Sequence, residues 1–115
     1  MQKGSNPLRA TRIALEGLAD AVRHELAFRL ELAGLAVALP LALYLGRTGV
    51  ERALLAGSAL LVPLVELLNS AVEAAIDRIS LERHPLAKRA KDLGAAAVFL
   101  SIVSACAVWA LVLAG

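Results

Sequence analysis

The chain has 115 residues, of which 59% are hydrophobic and only 19% charged, with a mean hydropathy of +0.72. A water-soluble fold this small has too much surface to hide that aliphatic content, and a disordered chain needs the opposite composition, so both classes are excluded. The net charge of +2 is too small for a nucleic-acid binder, and the single Cys106 excludes an internal disulfide or a cysteine-built zinc site.

The chain opens with an amphipathic segment. Asn6-Pro7 reads as a helix cap followed by proline at the first helical position. Leu8, Leu15, Leu18, Val22 and Leu26 recur at helical spacing, with Arg9, Arg12, Glu16, Asp20 and Arg23 between them. This predicts a helix over about 7–26 lying in the membrane surface. No apolar core precedes a small-residue cleavage site, so it does not read as a removable leader.

Three apolar stretches follow; a bilayer core takes about 20 residues to cross, and the first stretch, Leu32–Gly46, reaches that length only if its helix starts near Ala27. The first span is predicted over about 27–46, with Arg29 and Glu31 at its interfacial end and Pro40 inside it. The second covers about 53–76 and the third about 93–114, the latter free of formal charge. Trp109 reads as an interfacial anchor and Cys106 as inert packing. Basic residues concentrate in the N-terminal lead (Lys3, Arg9, Arg12, Arg23, Arg29) and in Asp77–Asp92 (Arg78, Arg83, Lys88, Arg89, Lys91). The positive-inside bias then places the N-terminus and the Asp77–Asp92 loop in the cytoplasm. The expectation is one domain over 1–115: an all-α membrane protein with a surface helix and three transmembrane helices.

The anomaly is in the second span. Glu66, Asn69, Glu73 and Asp77 fall within about 80° of one another on a helix. A charge at mid-membrane costs roughly 3 kcal/mol on insertion scales, so such a stripe persists with a use or a partner. Asp77, nearest the helix end, reads most simply as a solvated interfacial charge, and Asn69 as an interhelical hydrogen bonder. Carboxylates bind hard cations such as Mg²⁺, and one beside a hydroxyl can take its proton. Lysine and magnesium are the usual partners of polyphosphate, although no glycine-rich phosphate loop is present. From spacing alone, the reading stops at a membrane protein with an acidic functional site.

Three motifs go further. E-x-A-F-R-x-E (Glu25, Ala27, Phe28, Arg29, Glu31), V-E-L-L-N-S-A-V-E-A-A-I-D-R-I (Val65–Ile79) and R-A-K-D-L-G-A-A-A-V (Arg89–Val98) closely resemble the prokaryotic diacylglycerol kinase family of small three-span kinases. The resemblance runs from about Thr11 to the C-terminus. It implies a homotrimeric bundle with shared active sites, ATP as co-substrate, Mg²⁺ as cofactor and a lipid alcohol as substrate, in the bacterial inner membrane. By the same motifs, Glu66 corresponds to the catalytic base and Asn69 to the active-site asparagine. Glu25 and Glu73 correspond to the metal-ligating carboxylates, which also face ATP. Lys91 and Asp92 correspond to the pair that contacts ATP, and Glu82 and His84 to the loop that closes over it. The lipid pocket would involve Leu15, Ala19, Phe28, Arg29, Glu31 and Glu66.

Plainer readings stand beside these. Lys91 and Arg89 could only set topology, His84 before Pro85 could only end a loop, and Arg29 with Glu25 could form a surface ion pair worth little. The activity implied is ATP-dependent phosphorylation of diacylglycerol to phosphatidic acid. The alternatives are an undecaprenol kinase of the same family or a small proton-coupled transporter, which would need a fourth span.

Overall fold

The computed structural model describes residues 6–79 and 84–115 and is helical nearly throughout: α1 Pro7–His24, α2 Leu26–Leu45, α3 Gly49–Ile79 and α4 Pro85–Ala114. Three of them, α2, α3 and α4, are long and apolar enough to cross a membrane by length and composition. The chain is thus a multi-pass membrane protein, and no fourth span is found among the described residues.

The cap of α1 forms as its sequence dictates. Asn6 Oδ1 accepts the Arg9 backbone N–H at 2.7 Å, and Pro7 occupies the first turn. The helix stops at His24, short of the expected 26, because Glu25 takes an extended conformation (φ −116°, ψ 105°). The cause is on the next helix. The Arg29 guanidinium donates to the carbonyls of Val22 at 2.8 Å and Arg23 at 3.1 Å, filling two of the acceptors that a helix end leaves open. Arg29 therefore holds a helix corner, and no Arg29–Glu25 ion pair forms among the described residues. Leu8, Leu15, Leu18 and Val22 stay exposed along one face of α1, as a helix lying on a bilayer requires.

From this corner, α2, α3 and α4 run alternately down, up and down, with α3 central and packed on both others. The far end of the bundle is tied tightly. Thr48 Oγ1 accepts the Glu51 N–H at 3.1 Å, and Glu51 Oε1 accepts the Arg47 N–H at 2.9 Å, a reciprocal cap of the T-x-x-E kind. Arg52 donates to the Leu43 carbonyl of α2 at 3.2 Å, and Arg47 reaches the Val112 carbonyl of α4 at 3.5 Å. The indole of Trp109 donates to the Leu55 carbonyl at 3.0 Å, so the residue expected as an interfacial anchor turns its N–H into the bundle.

The chain buries little against itself. Phe28, Ala42 and Leu55 are inaccessible, but α4 has no buried residue. Such an apolar exterior fits lipid or further protein rather than water. At about 1.5 Å per residue, the 31 residues of α3 span about 46 Å, against about 30 Å of hydrocarbon. Its last turns therefore project beyond the bilayer on the same side as α1.

Candidate active site

The polar stripe of α3 faces inward. Glu66 is the buried charged side chain of the described residues, only 7% exposed. Its local setting begins with the buried Pro63 one turn earlier. Counting about 1.5 Å per residue, Glu73 lies about 10 Å further along the helix than Glu66, toward its polar last turns.

Other elements bring partners to the stripe. The break between α1 and α2 turns Glu25 toward α3, where Ser70 Oγ stands 3.1 Å from Glu25 Oε1 and 3.4 Å from Glu66 Oε2. Glu25 and Glu73 lie near enough for their charges to act on Glu66. Asn69 points at α4, and a Cβ on Gly94 would collide with Asn69 Oδ1, so a larger residue there would push the asparagine side chain aside. That oxygen is buried and without a hydrogen-bond partner.

The polar start of α4 meets the top of the stripe. Lys91 Nζ bonds Asp77 Oδ1 at 2.7 Å with Glu73 close by, and Lys88 Nζ bonds Asp92 Oδ2 at 2.6 Å. Asp77 is therefore paired with Lys91 rather than simply solvated. His84 caps α4, its Nδ1 accepting the Leu86 N–H at 3.0 Å, which leaves the Nε2 edge of the ring facing outward. Glu82 lies outside the described residues.

Below Glu66, an open groove of about 540 Å³ runs between α2, α3 and α4. Gly34, Ala38, Ala59, Cys106 and Trp109 line it, and Glu31 supplies its acidic group. Glu31 Oε1 is buried and unpartnered, within reach of the Glu66 charge. Of the residues expected at the lipid pocket, Glu31 lines this groove. Leu15 and Ala19 are exposed on α1, away from the groove, because the helix turns off at Glu25. Phe28 is fully packed at 1% exposure, and Arg29 is committed to the α1 carbonyls. Sequence reading passed over Ser70, which stands one turn after Glu66 on the same face, a spacing that could have flagged it; that Gly94 meets Asn69 depends on α4 being in place.

Among the described residues, no three His, Cys, Asp or Glu side chains converge as a ready-made metal cage. The donor set still fits a magnesium ion shared with phosphate, which takes one or two protein carboxylates and fills its remaining positions with phosphate oxygens and water. Glu25 and Glu73 offer such carboxylates beside Glu66, and Lys91 adds a cation near Glu73.

The sequence profile described as "Prokaryotic diacylglycerol kinase" matches residues 12–113. A diacylglycerol kinase of Pseudomonas aeruginosa is 47% identical over 108 residues, covering 94% of this chain and 88% of its own length. Those of Haemophilus influenzae and Escherichia coli K12 are 45% and 42% identical, covering 89% and 92% of this chain and 86% and 87% of their own lengths. With a match that spans all three apolar helices and the whole polar stripe, this chain belongs to the prokaryotic diacylglycerol kinase family.

Proposed function

We propose that the protein transfers the γ-phosphoryl group of ATP to the free hydroxyl of diacylglycerol, forming phosphatidic acid. The observation that carries this is a buried carboxylate, Glu66, one helical turn beyond Val62 of an apolar groove whose own acidic lining residue is Glu31, with the Lys91–Asp77 pair further along the same helix. A lipid alcohol placed with its chains along the groove presents its hydroxyl to Glu66. The carboxylate accepts the hydroxyl proton as the oxygen attacks the γ-phosphorus, and the bond to ADP breaks. Asn69, one turn on, orients the attacking group, and Glu31 and Arg29 border the lipid entrance.

Glu25 and Glu73 would hold Mg²⁺ against the phosphates, where the ion neutralises phosphate charge. Lys91 adds a cationic donor to the same phosphates, and Asp92, His84 and Glu82 complete the nucleotide side. The excess of basic residues on the α1 side supports a cytoplasmic N-terminus in the bacterial inner membrane, the side on which ATP is found. A homotrimer, with each site drawing on two chains, supplies the cover that the shallow single-chain groove lacks.

The test is transfer of radiolabel from γ-labelled ATP in mixed micelles. Label in phosphatidic acid is expected when diacylglycerol is supplied. Labelling of undecaprenol in preference to diacylglycerol would reassign the alcohol, and no lipid labelling would overturn the kinase reading.

A further inference from the structure

Hydroxyls in helices ordinarily bond back to their own backbone. Among the described residues three do so: Thr11 to the Pro7 carbonyl at 2.8 Å, Ser58 to Leu55 at 3.1 Å and Ser101 to Val98 at 2.7 Å. Ser70 lies well inside α3, yet its Oγ is turned to two side chains, Glu25 at 3.1 Å and Glu66 at 3.4 Å. One comes from the α1–α2 break and the other from the middle of α3.

A hydroxyl has one proton to donate, so it can serve one carboxylate at a time. The shorter contact makes Glu25 its main acceptor, and Glu66 stands next in line. The Glu25 charge reaches Glu66, so without a donor between them the two carboxyl groups have nothing to hold them side by side. The motif that carries Glu66, Asn69 and Glu73 therefore holds a fourth polar group with a tertiary contact.

We propose that Ser70 is a positioning residue for phosphoryl transfer: its hydroxyl fixes the direction and spacing of the Glu25 and Glu66 carboxylates. This rests on Glu66 acting as the proton acceptor. Ser70 itself forms no bond to substrate. It keeps the Glu66 and Glu25 carboxylates in a single frame, so that the lipid hydroxyl and the phosphate meet in line.

The experiment uses the purified full chain in diacylglycerol micelles. Ser70→Ala is expected to lower kcat by about 10- to 100-fold, the usual cost of removing a group that orients a reacting one. The KM for ATP should change less than about threefold, and thermal stability should hold or rise, since alanine favours helix. Ser70→Thr keeps the hydroxyl and should restore turnover to within about threefold of the parent. A second readout needs no turnover. Infrared difference spectra of Ser70→Ala against the parent should show a shifted carboxylate band, absent when the same change is made in a Glu25→Gln/Glu66→Gln background. An unchanged kcat in Ser70→Ala, an unchanged infrared band, or failure of Ser70→Thr to rescue would overturn the proposal. A parent that labels no lipid overturns the kinase reading instead, while the infrared arm still reports on the contact.

Discussion

At the residue scale, a single carboxylate separates chemistry from architecture. Glu66 is buried, and glutamine nearly matches its shape while losing the capacity to take a proton. Glu66→Gln is expected to lose at least about 100-fold in kcat, with the KM for ATP little changed, as measured by steady-state kinetics in micelles. Turnover near that of the parent would remove Glu66 from the role. Gly94 tests the frame around it. The Cβ of Gly94→Ala has no room beside Asn69 Oδ1, so Asn69 or α4 must shift. Overpacking of this kind costs about 1–3 kcal/mol, which thermal unfolding should register, together with lost activity from the displaced asparagine. Gly57, on the same central helix with nothing near its Cβ position, provides the control.

At the scale of elements, the α1–α2 corner depends on one guanidinium. Arg29→Gln leaves the Val22 and Arg23 carbonyls without their donor, and α1 should fray from its C-terminal end. The expected loss is about 1 kcal/mol, seen as faster amide exchange over the last turn of α1. Exchange unchanged from the parent would show that the corner holds without Arg29. The same corner shows what was legible in advance. The α1 cap, the three spans and the acidic face of α3 follow from local periodicity and cap chemistry, which a sequence displays directly. That Arg29 bonds backward across a helix break, that Trp109 turns inward, and that Ser70 reaches Glu25 depend on how helices cross. Nothing in a linear pattern records those crossings. His84 shows an intermediate case: the following proline announces a helix start, but the capping nitrogen is fixed only once the turn has formed.

At the scale of the molecule, the dominant fact is how little one chain covers. α4 is unburied and the groove open, and in the proposed homotrimer further copies of the chain would supply the missing wall. Closed cyclic assembly gives every copy the same neighbour. If active sites are shared, two variants that are each inactive should regain activity when mixed in one assembly. Variants at Glu25, Asn69, Glu73 and Lys91, paired after subunit exchange and reconstituted, are expected to include at least one complementing pair. Full turnover by isolated monomers, or no rescue by any pair despite demonstrated exchange, would show that each chain works alone.

The two ends of the bundle differ in their ties, and this shapes how the molecule can move. At the far end, Arg47, Thr48, Glu51 and Arg52 join the α2–α3 turn to itself and to α4, and Trp109 adds a second link between α3 and α4. At the opposite end, where the chain passes from α3 into α4, a side-chain tie between them is the half-exposed Lys91–Asp77 pair, which solvent screens. Local opening should therefore concentrate at the Lys91–Asp77 end, where a screened ion pair holds the start of α4 less firmly than the hydrogen bonds hold the far turn. Amides around Arg47–Arg52 should accordingly exchange more slowly than those around Lys88–Asp92, and bound nucleotide should slow the second group alone.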